Sequence, residues 1–259
     1  MEVCAAGASG VVTCGSADGI GTDYPPRVPL VTFAVTQTDV GCGLTTSGAV
    51  ACWGDGYTDE PMACPDGGSG PSCNTKPPKG TFTAIGVGDR QACAIAPDGH
   101  IECWGSRGNR PDTPPPGTFV DLAMDDDGDA CGITTSRDVT CWGAGATSHS
   151  SFAGPFSAIA VGGSNVCALD QGGAPSCLLG YIAQTKPPAG PFTKIATNGN
   201  FACGVDGSGR VQCWGGAPVT QLPGPYEDIA ASPRTLCGRK QDGQVECFGG
   251  NWKPDASVP

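Results

Sequence analysis

The chain has 259 residues, with 25 Asp and Glu against 14 Lys and Arg, for a net charge of −11. That balance excludes a duplex binder that displaces counterions with a basic patch, and it disfavours docking to anionic membrane surfaces. Leu, Ile, Val and Phe make up only about 17% of the residues, a fraction that alone would suggest disorder, yet 16 cysteines offer cross-links in place of bulk.

Cys4 and Cys14 open the chain, ten apart around Ser9-Gly10. A polar residue followed by Gly marks a three-residue hairpin, a type I turn closed by a residue in the left-handed region. Glycine adopts positive φ without steric cost. Folding there sets the cysteines opposite each other at the ~4.5–5.5 Å Cα separation of an antiparallel pair, within reach of a disulfide. VTFAVTQ (31–37) reads as a strand, and Cys42 and Cys52 repeat the hairpin around Ser47-Gly48.

Residues 55–80, DGYTDEPMACPDGGSGPSCNTKPPKG, form an insertion. Cys64 and Cys73, nine apart, are read as its private staple. Long loops in compact domains usually carry function, and a staple reduces the entropy lost on binding. Asp55, Tyr57, Asp59, Glu60, Met62 and Asp66 are therefore the candidate partner-binding residues, with a merely decorative insertion as the alternative.

The remaining hairpins are Cys93/Cys103, Cys131/Cys141, Cys167/Cys177, Cys203/Cys213 and Cys237/Cys247. Each keeps a glycine six residues after the first cysteine, except the fourth of the seven hairpins, where Arg137 stands. Strand signals precede them: FTAIGVG (82–88), FVDLAMD (119–125), FSAIAVG (156–162), FTKIATN (192–198) and YEDIAAS (226–232). Alternate residues such as Ile85 and Val87 share one face. Proline-rich turns separate the units: TKPPKG (75–80), TPPPG (113–117), TKPPAG (185–190) and LPGP (222–225). These cannot be helix interiors.

All 16 cysteines are thus expected in pairs: Cys4–Cys14, Cys42–Cys52, Cys64–Cys73, Cys93–Cys103, Cys131–Cys141, Cys167–Cys177, Cys203–Cys213 and Cys237–Cys247. Zinc sites want cysteines two to four apart, and redox motifs want C-x-x-C; neither spacing occurs. Units of ~35–50 residues built from antiparallel strands indicate a propeller. We expect an all-β, seven-bladed β-propeller with a disulfide-stapled hairpin in each blade, occupying 1–259 as a single domain. The first hairpin has no strand signal before it, and only FGGNWKPDASVP (248–259) follows Cys247. The ring is expected to close through Asp255–Val258, or else through a flanking segment or a second copy, the last of which would make self-association through the chain ends a consequence.

Cys42-Gly-Leu44 with Cys52-Trp-Gly54, Cys93-Ala-Ile95 with Cys103-Trp-Gly105, Cys131-Gly-Ile133 with Cys141-Trp-Gly143, and Cys203-Gly-Val205 with Cys213-Trp-Gly215 carry a resemblance. The pattern F-x-x-I-x-x-G…C-x-L-x-x-x-G-x-V-x-C-W-G resembles the regulator of chromosome condensation repeat. Its cysteine-rich form is similar to secreted bacterial members and to the extracellular repeats of crinkly-type plant receptor kinases. The resemblance implies a propeller. For function it implies one of several roles: nucleotide-exchange factor, receptor ectodomain or inhibitory protein. Eight disulfides argue against a nuclear or cytosolic role.

No catalytic constellation is present. His100 follows a hairpin turn and His149 sits in ATSHSS (146–151); both read as exposed loop histidines with no third group to orient them. Asp125, Asp127 and Asp129 alternate in the densest acidic run, and calcium there would relieve their repulsion; no cofactor is required otherwise. Trp53, Trp104, Trp142 and Trp214 all follow the second cysteine of a hairpin, which suits packing better than sugar platforms. The disulfides place the protein outside the cytosol: secreted, periplasmic or at the cell surface. Met1-Glu2-Val3-Cys4 is no signal peptide, so a mature fragment is expected. No apolar run is long enough to span a membrane, and there is no N-x-S/T sequon. The expected function is an extracellular, non-catalytic binding scaffold that takes a protein or glycan at one face and no nucleic acid. Its alternatives are an enzyme inhibitor using one propeller face and a structural subunit of an extracellular assembly or filament.

Overall fold

The structure, a computed structural model, describes residues 2–6, 10, 12–16, 28–35, 41–53, 77–88, 91–105, 113–143, 150–217, 220–232, 235–242 and 244–248. Among the described residues the chain is all-β apart from one 3-10 turn, Tyr181–Gln184. The strands form seven antiparallel sheets among the described residues. The first pairs β1 (Glu2–Ala6) with β2 (Val12–Ser16). The second is β3 (Leu30–Val35), β4 (Gly41–Thr45) and β5 (Val50–Trp53). The third is β6 (Ala84–Val87), β7 (Gln91–Ile95) and β8 (Ile101–Gly105). The fourth runs β9 (Phe119–Met124), β10 (Ala130–Thr134), β11 (Val139–Trp142) and β12 (Ser151–Phe152). The fifth is β13 (Phe156–Gly162), β14 (Asn165–Asp170) and β15 (Pro175–Leu179). The sixth is β16 (Phe192–Asn198), β17 (Phe201–Asp206), β18 (Val211–Gly215) and β19 (Gln221–Leu222). The seventh is β20 (Tyr226–Ser232), β21 (Thr235–Lys240) and β22 (Val245–Phe248).

Every expected strand signal is a strand. The short outer strands β12 and β19 were not expected; they lie in stretches read as linker and proline-rich return. The first strands of successive sheets lie side by side, β3 next to β6, then β9, β13, β16 and β20.

The hairpins fold as their turn chemistry dictates. In the third sheet the Gly99 N–H donates to the Ala96 oxygen at 2.8 Å, and the Ala96 N–H donates to the His100 oxygen at 2.8 Å. Gly99 has φ 88°. This is a type I turn with a left-handed closing residue. Arg137, the exception in sequence, adopts φ 71° and closes its turn in the same way.

That turn fixes the cysteine register. The Thr45 N–H donates to the Ala49 oxygen, so those two form a hydrogen-bonded pair. Bonded and non-bonded pairs alternate along an antiparallel ladder, which makes Cys42 and Cys52 a non-bonded pair, the closer kind. Six bridges of this type are present: Cys42–Cys52, Cys93–Cys103, Cys131–Cys141, Cys167–Cys177, Cys203–Cys213 and Cys237–Cys247. Their Cα separations are 3.9–4.1 Å. Cys4 and Cys14 are register partners across β1 and β2. Cys64 and Cys73 lie outside the described residues.

Because neighbours on a strand point to opposite faces, each sheet has two apolar sides, and the core lies between consecutive sheets. Cys42 and Leu44 of the second sheet pack on Phe82, Ile85, Ala92 and Trp104 of the third. Cys93 and Ile95, on the other side of the third, pack on Phe119, Leu122, Ala130 and Trp142 of the fourth. Each disulfide thus sits on one side of a sheet and each indole on the other. Trp53, Trp104, Trp142 and Trp214 are all buried. In the fifth sheet, which lacks the tryptophan, Leu178 and Leu179 take its place at the junction with the fourth. Small residues at these interfaces explain how little aliphatic bulk suffices: the described core is filled as much by alanine, cysteine and aromatic rings as by Leu and Ile.

Candidate interaction faces

One hydrogen bond recurs at six sheet junctions. The main-chain oxygen of each turn-closing residue accepts from the N–H that begins the next sheet. The pairs are Gly10 with Leu30 (2.7 Å), Gly48 with Phe82 (2.8 Å), Gly99 with Phe119 (2.8 Å), Arg137 with Phe156 (2.9 Å), Gly173 with Phe192 (2.8 Å) and Gly209 with Tyr226 (2.8 Å). These bonds place the six turns on one face, beside the starts of the first strands. We call this the hairpin face. Its turns are short and self-capped. Asp170 Oδ1 accepts from the N–H groups of Gly172 and Ala174, and Asp206 Oδ1 from those of Ser208 and Arg210. Ser208 Oγ also donates to Asp206, and with the Arg210 contacts this holds that carboxyl down at about 2. His100 stays on this face, exposed, with Nδ1 3.3 Å from Asp98 Oδ2. His149 lies outside the described residues.

The opposite face collects the connections between first and second strands and the ends of the third strands, including Trp53, from which residues 54–76 depart. We call it the connection face. The acidic run lies here, between β9 and β10, as another tight turn. The Gly128 N–H donates to the Asp125 oxygen (2.9 Å), the Asp125 N–H to the Asp129 oxygen (3.0 Å), and the Asp129 N–H to Asp125 Oδ1 (2.8 Å). Burial, reinforced by the charges of Asp129, Asp127 and Asp126, pushes the Asp125 carboxyl up to about 6. The calcium expectation finds no support in this geometry. Asp125 and Asp129 are buried while Asp127 is exposed, and no group of three or more His, Cys, Asp or Glu among the described residues is arranged to hold a metal ion. The turn uses Asp125 as an internal acceptor instead.

Beside it lies a feature the sequence reading missed. Asn165, fully buried at the start of β14, donates from Nδ2 to the oxygens of Gly162 (3.4 Å), Gly163 (3.3 Å) and Asn198 (3.0 Å). Its Oδ1 accepts from the Ile182 N–H at 3.2 Å. One side chain thus ties the fifth sheet to the sixth and to the 3-10 turn. Gly180 is required above it, since a Cβ there would lie 2.1 Å from Asn165 Oδ1. Asp129 has the same place relative to Gly143, where a Cβ would lie 2.4 Å from its Oδ1. In the fourth and fifth sheets the glycine just after the second cysteine, Gly143 or Gly180, therefore makes room for the polar residue two before the first cysteine. Tyr181, 70% exposed, projects from the 3-10 turn.

Along the innermost strands, Asp121, Lys194 and Asp228 occupy equivalent positions, two after the leading aromatic. Asp121 accepts from the Leu122 N–H at 3.0 Å, and Asp228 from the Ile229 N–H at 3.1 Å. Burial pushes the Asp121 carboxyl up to about 6, although the Leu122 and Ile159 N–H groups and Lys194 pull the other way. No nucleophile stands beside any of these carboxylates among the hydrogen bonds described. The loop candidates Asp55, Tyr57, Asp59, Glu60, Met62 and Asp66 lie outside the described residues. No helix among the described residues is long and apolar enough to cross a membrane.

Stacked antiparallel sheets with their first strands side by side define the propeller class. The similar solved structures are of that kind. The chain matches the CRINKLY WD40 ectodomain of the Arabidopsis thaliana receptor kinase ACR4 with TM-score 0.77 and 21% identity, over 100% of this chain and 93% of that one. It matches the ectodomain of the Physcomitrella patens receptor kinase CR4 with TM-score 0.74 and 22% identity, over 97% and 70%. Prp20p from Saccharomyces cerevisiae, a protein described with its binding to Gsp1p and histones, matches with TM-score 0.60 and 15% identity, over 85% and 72%. The resemblance read from the C-x9-C repeats therefore extends to the fold. No protein-family model and no curated protein matches the chain.

Proposed function

We propose that this chain is a seven-bladed, disulfide-stapled propeller that acts outside the cytosol as a non-catalytic scaffold for binding another protein. The observation that carries this reading is the set of six bridges at one register, five of which have their first cysteine completely buried. Buried cross-links repeated through a core are characteristic of an oxidising compartment. The receptor ectodomains with this fold support the same placement. The partner binds at the connection face. The hairpin face offers tight turns whose carboxylates at Asp170 and Asp206 are capped by their own backbone, whereas the connection face is where the chain enters the insertion 55–80, which rejoins the hairpin face at Phe82.

The test uses the oxidised protein, with residues 55–80 replaced by a short turn of the kind found at 105–117. Partners are captured from the extracellular fluid or surface of the source cells. A folded variant that loses the partner supports the connection face; unchanged capture rejects it. An inhibitor is the narrower form of this reading, recognised when the captured partner is a hydrolase whose activity falls on binding. A structural subunit draws on a different observation: among the described residues the sheet of β1 and β2 has two strands where the others have three or four. Sedimentation that shifts with protein concentration would favour it.

A further inference from the structure

The turn from β16 to β17 carries the single Asn-Gly pair of the sequence, Asn198-Gly199. The Gly199 N–H points at Asn198 Oδ1 in a short contact. We propose that Asn198 is a self-modification site, at which the folded chain converts its own side-chain amide through a cyclic imide. The contact holds the Gly199 nitrogen beside the Asn198 side-chain carboxamide, so closing the ring needs only a rotation that turns Cγ toward that nitrogen. Gly199 offers no side chain to obstruct the approach, and the space where a Cβ would sit is empty to 4 Å. The Asn198 main-chain oxygen accepts from Asn165 Nδ2 at 3.0 Å and from Thr197 Oγ1 at 3.5 Å. Those bonds draw electron density out of the Asn198–Gly199 peptide and ease loss of the Gly199 N–H proton.

The step balances without a cofactor. A bond forms from the Gly199 nitrogen to Asn198 Cγ, the Cγ–Nδ2 bond breaks, and the Gly199 proton leaves with Nδ2 as ammonia. Solvent water then opens the imide. Cleavage at Cγ gives an aspartyl residue, and cleavage at the main-chain carbonyl gives an isoaspartyl residue with one extra carbon in the backbone.

Other candidates are arranged differently. Asn165 precedes the β-branched Val166 inside a strand, and Asn200 precedes Phe201. The Asp-Gly turns at Asp98 and Asp206 direct their carboxylates to the N–H two residues on, at His100 and Ser208, and not to the adjacent glycine nitrogen. A carboxylate also lacks the amide's leaving group. Conversion at Asn198 has a consequence for the fold. The residue is buried against Asn165, and a charge placed there must be desolvated where the fifth and sixth sheets meet.

The test holds the oxidised, folded protein at mildly alkaline pH, then reduces it and follows the tryptic peptides 138–194 and 195–210 by mass spectrometry, with enzymatic detection of isoaspartate. Conversion is expected at position 198 ahead of positions 165 and 200, with the converted fraction melting at lower temperature. The variant Gly199→Ala fits the open space, since its φ lies outside the left-handed region. It should slow conversion about tenfold by hindering the nitrogen. The proposal fails if position 198 stays intact in the folded protein while the reduced, unfolded chain converts there. It fails equally if Gly199→Ala leaves the rate unchanged.

Discussion

The main-chain oxygen of Arg137 accepts from the N–H of Phe156 at 2.9 Å, in the place where glycines make the same link at other junctions. Arg137 makes it at φ 71°, a conformation that costs a non-glycine residue about 1–2 kcal/mol. Arg137→Gly should therefore stabilise the fold. The extra freedom of glycine in the unfolded chain offsets roughly 0.5–1 kcal/mol of the gain. A net rise of about 1 kcal/mol would lift Tm by about 2–4 °C in a chain of this size. The reverse test is Gly99→Ala, which puts a Cβ 2.8 Å from Thr118 Cβ at φ 88°. Its Tm should fall. A thermal melt that ranks the two variants the other way would refute this account of the turn.

Six of the expected bridges are formed as i/i+10 pairs. The Cys4–Cys14 and Cys64–Cys73 bridges await peptide mapping under non-reducing conditions. Seven i/i+10 bridges plus Cys64–Cys73 is the expected result; a bridge joining two different hairpins would overturn the scheme. Removing one bridge by the double change Cys93→Ser and Cys103→Ser should cost roughly 2.5–3 kcal/mol in the loop-entropy account of a ten-residue closure. The denaturation midpoint measures it.

How much could be read from the sequence depended on range. The turn, the cysteine register and the leading strand of each unit are encoded within about a dozen residues, so Cys93, Gly99 and Cys103 announced their hairpin directly. β12 and β19 were missed because two residues, Ser151-Phe152 or Gln221-Leu222, carry no alternation to detect. Asn165 was missed because its partners sit at 162, 163, 182 and 198, in three separate elements. The turn around the acidic run was hidden for a related reason: alternation in sequence does not show that a tight turn buries Asp125 and Asp129 and leaves Asp127 exposed. A face assembled from connections in separate sheets was the least legible, since it has no local signature.

Asn165→Ala should be among the most damaging single substitutions. It strips hydrogen bonds from three main-chain oxygens and one N–H in a buried setting, and each group left unsatisfied costs about 1–3 kcal/mol. A loss of about 3 kcal/mol or more is expected, read as a lower denaturation midpoint. Asn165→Asp keeps the acceptor for Ile182 but turns a second oxygen toward the carbonyls of Gly162, Gly163 and Asn198. It should destabilise at neutral pH and recover in part on acidification, when the carboxyl can donate. Equal behaviour of the two variants across pH would show that volume, not hydrogen bonding, is what Asn165 supplies.

The two elevated carboxyls set the direction of the protein's own pH response. Asp121 and Asp125 titrate near 6 in the folded chain and near 3.8 when unfolded. Between those values the native state holds more protons than the unfolded state, so stability falls as pH rises. Acidification from pH 7 to about 5 should therefore raise Tm, helped by the loss of repulsion in a chain of net charge −11. The opposite group sets the lower limit. Asp206 is held at about 2 by Ser208 and Arg210, and Glu246 is lowered by Lys240 and Tyr226, so their contributions are present above pH 4 and vanish as pH falls toward 2. The profile should thus peak between about pH 4 and 5. Asp121→Asn removes one of the two upper titrations while keeping an acceptor for Leu122. It should raise Tm at pH 7, raise it much less at pH 4.5, and flatten the slope between. A melt series in which Asp121→Asn shifts Tm equally at both pH values would show that Asp121 does not titrate in that window.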